Sequence, residues 1–319
     1  MHLALKTTAT SCDEERNTMQ LIDEFGFLKM NNPLEFDIYK LQPIPNYDKQ
    51  LSVVNKHLHK DGFYYTPTQK SYRWNLKTGK LNRNALPNTT RPALLHKVAV
   101  THQVLSSKEI TSDQFRKTDG YFLLSFLGFI FDTRLQFWNW WWDSRINIKQ
   151  DPVINVNENQ LPTILSEGLN AWQTLSKSQQ KTFLNALFLF QRGKAMEWHY
   201  EKFIHYYISL DAIWHLGSSQ FKAKKKCITH KDRILTICQH LNICYDVSAI
   251  ELVYKTRNDL FHEGLFGGLN PLSDISHERF SVTLYLEQLI ERMLIATLGF
   301  RPSFLSTPWW GIRGWQMWN

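Results

Sequence analysis

The chain has 319 residues, 43% of them hydrophobic and 14% aromatic, which is enough to bury a large core and excludes a disordered chain. Lysine and arginine outnumber aspartate and glutamate by 37 to 29, a formal charge of +8 that favours polyanionic partners, nucleic acid first. The longest apolar run, YFLLSFLGFIF at 121–131, falls far short of the roughly 20 residues of a spanning helix, so it reads as buried core and no membrane segment is expected.

The opening stretch, MHLALKTTATSCDEERN, lacks an apolar centre and does not read as a secretory signal. Cys12, Cys227, Cys238 and Cys244 make no disulfide framework in a chain of this length, which fits a reducing cytoplasm. The length itself predicts two domains. Residues 1–150 mix short alternating segments with turn signals. GFYYTPTQKSYRWNLKTGKLNRN predicts a hairpin turning at Thr78-Gly79, and PALLHKVAVTHQVL one strand or two. An aromatic block, FWNWWWDSR, follows at 137–145, and the polar, proline-bounded stretch 147–162 reads as a joint.

Beyond it, apolar spacings of three and four predict helices over 162–175, 178–192, 195–216, 229–242, 247–263 and 276–298. Ser178 is the expected N-cap of the second, Asp246 or Ser248 of the fifth, and Gly264 with Gly267-Gly268 its stop. The expected fold class is α+β: a mixed α/β domain over 1–150, then an all-helical domain over 151–319 with an aromatic-rich tail.

Two of these helices carry charges on apolar faces. At 100° per residue, Ile250, Val253, Tyr254, Leu260 and Phe261 form one stripe with Arg257 in its middle, and Asn258 and His262 share its edge. On the 195–216 helix, Tyr200, Phe203, Ile204, Tyr207 and Trp214 define a face with Asp211 at its centre. A lone buried charge costs several kcal/mol, so Arg257 and Asp211 are expected to meet. An internal ion pair setting helix register, or an arginine lying along the core with its head in water, accounts for them blandly. A held arginine beside an asparagine and a histidine also has the parts to bind a phosphate and move protons.

RNDLFH, Arg257 to His262, resembles the R-N-x-x-x-H motif of HEPN domains, the higher eukaryote and prokaryote nucleotide-binding family. The setting is similar too: the motif closes a helix, is followed by EG, and is preceded by HKDRILTICQHLNI and, further upstream, by EKFIHYYISLDAIW. The Apea-like HEPN group is the nearest resemblance, over about 165–300; the first half resembles no family. The resemblance implies an all-helical bundle and a metal-independent endoribonuclease that leaves a 2′,3′-cyclic phosphate and a 5′-hydroxyl. It implies that His262 moves protons, Arg257 neutralises charge on the scissile phosphate, Asn258 orients the site and Asp211, where the family more often has glutamate, holds the arginine. It implies no cofactor, a homodimer through the helical half that brings two motifs to one cleft, and a role in antiviral defence or a toxin system. Many HEPN domains are silent, so a sensor or scaffold within a larger assembly is the alternative, with a binder of nucleic acid that does no chemistry behind it.

KAKKK, with Lys222, Lys224, Lys225 and Lys226, is a basic loop suited to an RNA backbone or simply a solvated charge run. Trp138, Trp140, Trp141 and Trp142, and Trp309, Trp310, Trp315 and Trp318, suit a core, base stacking or a protein surface; a protein or RNA trigger recognised by the first half is the further expectation. Cys227, His230, Cys238, His240 and Cys244 lack the paired, converging spacing of a zinc site, so no metal is expected.

Overall fold

The computed structural model describes residues 19–60, 62–64, 73–75, 77–82, 100–138, 146–147, 158–217, 229–265 and 277–308. In the first half, strands β1 (Gln20–Gly26), β2 (Leu34–Phe36) and β3 (Tyr39–Pro43) lead into helix α1 (Tyr47–His57). Short strands β4 (Phe63–Tyr64), β5 (Arg73–Asn75) and β6 (Lys80–Asn82) precede β7 (His102–Ser106). Helices α2 (Ser112–Lys117) and α3 (Asp119–Ile130) follow, then β8 (Gln136–Phe137) and β9 (Ile146–Asn147). Five strands form an antiparallel sheet in the order β2-β3-β7-β1-β8. The expected hairpin is β5 paired with β6, and Gly79 supplies the positive φ of +59° in its turn. Of the strand expected over 92–105, β7 is the described part; 92–99 lie outside the described residues.

Alternation along β7 buries His102, Val104 and Ser106. In β1 the register slips between Leu21 and Asp23, and the extra residue lets Ile22 and Asp23 both turn inward. Asp23 is there gripped by Arg116, Nε to Oδ2 at 2.5 Å and Nη2 to Oδ1 at 2.7 Å, and accepts from Ser112 Oγ at 2.6 Å. The fork ties α2 to the sheet. The run 121–131 forms α3, apolar nearly all round and accordingly buried, from Phe122 to Ile130.

The second half is helical: α4 (Leu161–Thr174), α5 (Lys177–Ala195), α6 (His199–Gly217), α7 (His230–Leu241), α8 (Val247–Asn258) and α9 (His277–Thr297). The N-cap of α5 is Ser176, not Ser178. Gln179 stands three residues after Ser176 and closes a capping box, its backbone N–H donating to Ser176 Oγ and its Oε1 accepting from Ser176 N; Ser178 has Lys181 in that place. Asp246 caps α8, accepting from Ser248 N and Ala249 N.

One cluster of buried side chains runs from Ile22 to Leu305 and draws on both halves; Phe122 of α3 stacks on Trp172 of α4 at 5.1 Å. Helices α5 and α6 approach so closely that a Cβ on Gly193 would lie 2.5 Å from Tyr206 Cε1. Beside this contact Lys194 is held among three carboxylates, Glu291 at 2.8 Å, Asp132 at 3.0 Å and Glu287 at 3.4 Å. Tyr206 Oη donates to Glu287 at 2.6 Å. Trp138 is partly exposed, and the other tryptophans of the two clusters lie outside the described residues. Among the described residues no helix is long and apolar enough to cross a membrane.

Candidate active site

The site forms where α6, the start of α7 and the end of α8 converge. Three local devices set these elements. Thr229 caps α7 through a reciprocal box with Asp232, which makes His230 the first helical residue. Lys231 pairs with Glu251 and ties α7 to α8. Tyr285 of α9 bonds the backbone of Asp246, accepting from its N–H at 2.9 Å and donating to its carbonyl at 3.3 Å, so the entry of α8 is fixed.

The buried line of α8 is Ile250, Val253 and Thr256, and that of α6 includes Phe203, Tyr206, Tyr207, Leu210 and Ile213. Arg257 and Asp211 therefore flank their buried stripes instead of sitting in the middle of them, and Phe261, placed on the apolar stripe by spacing, is 45% exposed. For Phe261 and His262 the backbone is out of α-helical phase. At Asp259 the α-helix widens into a π turn that runs to Glu263 and stops at Gly264, whose φ is +69° and whose N–H reaches Asp259 O and Leu260 O. Five α-helical steps of about 100° would carry His262 roughly 140° around the axis from Arg257. The wider turn brings them back to one side.

Arg257 Nη1 lies 2.9 Å from His262 Nε2 and 3.1 Å from Asn258 Oδ1. A guanidinium only donates, so both atoms accept; His262 Nε2 is unprotonated and its hydrogen sits on Nδ1. The guanidinium carbon stands 5.4 Å from the Phe261 ring and 6.0 Å from the Tyr207 ring, within cation–π range. The motif residues Arg257, Asn258 and His262 thus meet, with His262 exposed on the helix end.

Asp211 is elsewhere engaged. Its Oδ1 lies 3.6 Å from His230 Nδ1, and no ion pair within 4.0 Å joins it to Arg257 among the described residues. The expected direct meeting of Arg257 and Asp211 is not what the fold makes: the two charges belong to one cluster but are joined through Tyr207 and His230. The His230 ring packs 5.9 Å from that of Tyr207. Burial holds the His230 imidazole below its ordinary range; Asp211 pulls the other way, and the charges of Arg257 and Arg233 add to the depression. Tyr207, 2% exposed, is pushed well above the phenol range by burial and then by Asp211, so it stays protonated.

Two buried donors at this centre, Tyr207 Oη and Arg257 Nε, have no hydrogen-bond partner among the described residues. Such atoms cost about 1–3 kcal/mol each, and native folds keep few of them. Beside the site a shallow depression of about 430 Å³ is lined by Ser248, Glu251, Leu252, Tyr254, Lys255, Asn258 and Asp259, so Asn258 faces both. Among the described residues no group of three His, Cys, Asp or Glu is disposed to hold a metal ion. Lys222, Lys224, Lys225 and Lys226 lie outside the described residues.

The sequence reading missed His230 and the π turn. By spacing His230 is only a poor metal ligand, yet T-x-x-D at 229–232 marks it as the first residue of a helix. Nothing local announces the π turn. Comparison with protein-family models, curated proteins and solved structures finds no match to this chain.

Proposed function

We propose that the helical half is a HEPN-type domain acting as a metal-independent endoribonuclease, in which a ribose 2′-hydroxyl attacks the adjacent phosphate. The observation that carries the reading is the 2.9 Å contact between Arg257 Nη1 and His262 Nε2 at an exposed helix end. Arginine presents a permanent, forked charge to phosphate oxygens, and a donor aimed at developing charge is commonly the largest catalytic contribution. The imidazole beside it has a ring nitrogen able to take up and give back a proton. An incoming phosphate competes with His262 for Nη1. Binding therefore frees His262 Nε2 to carry a proton while Asn258 retains the guanidinium.

A homodimer that lines one cleft with two motifs, antiviral or toxin duty, and an RNA-tracking role for the lysines at 222–226 belong to the same proposal. The free thiols of Cys238 and Cys244 are in keeping with a reducing compartment such as the cytoplasm. One observation favours a second reading, a silent scaffold or sensor module: Asp211 turns to His230, and among the described residues no carboxylate lies within 4.0 Å of Arg257. Purified protein and its His262→Ala variant, incubated with a mixed single-stranded RNA pool in the presence of a chelator, separate the two. Cleavage by wild type alone, ending in cyclic phosphates, is expected. Equal cleavage by both, or by neither, overturns the enzyme reading.

A further inference from the structure

Cleavage by 2′-hydroxyl attack calls for two proton transfers: one group takes the 2′-hydroxyl proton and another gives a proton to the departing 5′-oxygen. The motif supplies one histidine, and the resemblance draws the second from another copy of the chain. The described residues hold a second histidine in the same cluster. The His230 ring lies 5.9 Å from the Tyr207 ring, the Arg257 guanidinium carbon lies 6.0 Å from the same ring, and Arg257 Nη1 is 2.9 Å from His262 Nε2. Its side chain is 26% exposed, so it is held yet reachable.

We propose that His230 is the general base of this site, with Asp211 as the residue that positions it, so that one protomer carries both proton-transfer groups. The inference rests on the endoribonuclease reading above. Its geometric support is the placement of the carboxylate: Asp211 Oδ1 faces His230 Nδ1 at 3.6 Å, which favours the neutral ring's hydrogen on Nδ1 and so a lone pair on Nε2. His262 is set up differently: its Nε2 accepts from Arg257 until a phosphate takes the guanidinium, and it then gains the proton that makes it the acid.

In the step, His230 Nε2 removes the 2′-hydroxyl proton as the 2′-oxygen forms its bond to phosphorus. The phosphorus–5′-oxygen bond breaks, and His262 Nε2–H protonates that oxygen. His230 ends with one proton more and His262 with one fewer; exchange with water resets both. The groups facing His230 are Asp211 and Tyr207 from α6, Arg257 from α8 and Arg233 from its own helix. The two arginines and burial oppose protonation and Asp211 favours it, and the balance leaves the ring neutral at pH 7, as a base requires.

The test compares wild type, His230→Gln, Asp211→Asn and His262→Ala on two substrates. One is the single-stranded RNA pool. The other is a dinucleotide whose 5′-bridging oxygen is replaced by sulfur, a leaving group that departs without an acid. With RNA, His230→Gln is expected to lose on the order of 10²–10⁴-fold in rate and the rise in rate with pH below about 6.5, and Asp211→Asn to lose less. With the sulfur substrate, His262→Ala should recover to near the wild-type rate while His230→Gln stays slow. That asymmetry is not produced by a damaged fold, and matched circular dichroism spectra are recorded for every variant. A His230→Gln protein with wild-type rate and pH profile, beside an inactive His262→Ala, overturns the role of His230 and leaves the ribonuclease reading standing. Rescue of His230→Gln in place of His262→Ala also overturns it. Absence of cleavage by wild type overturns both.

Discussion

Replacing Lys194 by methionine removes a cation that lies within 4.0 Å of three carboxylates, while the aliphatic stem is kept in shape. The ammonium touches Glu291 at 2.8 Å, Asp132 at 3.0 Å and Glu287 at 3.4 Å, and its side chain is 10% exposed against 8% for Glu291 and 11% for Asp132. The three acids hold the Lys194 pKa well above the ordinary lysine range although burial alone pushes it down. Stranding buried charge by deleting one partner costs about 3–5 kcal/mol, and a loss of that size at pH 7.5 is expected in urea or guanidinium unfolding. The pH dependence identifies the cause. Burial already raises the Glu291 pKa in the native protein, and without Lys194 it rises further above its unfolded value. The folded variant then binds more protons than the unfolded chain, so its stability improves as pH falls. The gap between wild type and variant should therefore narrow from pH 7.5 to 5, and adding Glu291→Gln should recover part of the loss. A gap under about 1 kcal/mol, or one that does not change with pH, would refute the reasoning.

Other consequences are as direct. His102 is fully buried, its Nε2 donating to Met30 O and its Nδ1 accepting from Thr101 Oγ1, and burial lowers its pKa to about 4. The stability this contributes is complete above the unfolded pKa of about 6.5 and lost as pH falls towards the folded value, on the order of 3 kcal/mol, so His102→Gln should flatten the acid limb of stability against pH. Gly193→Ala would place a methyl 2.5 Å from the ring of Tyr206, which cannot yield because it is buried and bonded to Glu287; a loss of about 1–3 kcal/mol in chemical unfolding is expected, and no loss would show that the helix pair gives way. Arg257→Lys keeps the charge but cannot present one planar fork to Asn258, His262 and a phosphate. RNA cleavage should fall about 10²–10³-fold with stability within about 1 kcal/mol of wild type, and full activity in the lysine variant would remove the fork from the argument.

The helical half was legible because its signals are local. Apolar spacing placed all six helices within a few residues, since each must bury one stripe. Asp246 was readable as a cap because its partners, Ser248 N and Ala249 N, lie within three residues. Ser176 was missed although its cue was equally local, a glutamine three positions on. In the first half the Thr78-Gly79 turn was readable, while the strand order of the sheet was not, because β1 pairs with a strand some eighty residues away. At the site, Arg257, Asn258 and His262 could be named from six consecutive residues. The side of the helix they share could not, because it rests on a change of helical pitch.

Periodicity and nearest neighbours along the chain were enough to read the mixed α and β class, the helix positions and the six-residue spacing from Arg257 to His262. Which charges pair was left to packing: Asp211 with His230 in place of Arg257, Lys194 with two acids on α9 and Asp132 just past α3, Asp23 with an arginine on α2. A buried charge demands a partner, but composition does not say which. That choice falls to the packing of helices and strands, which sets the few ångströms over which ion pairs act.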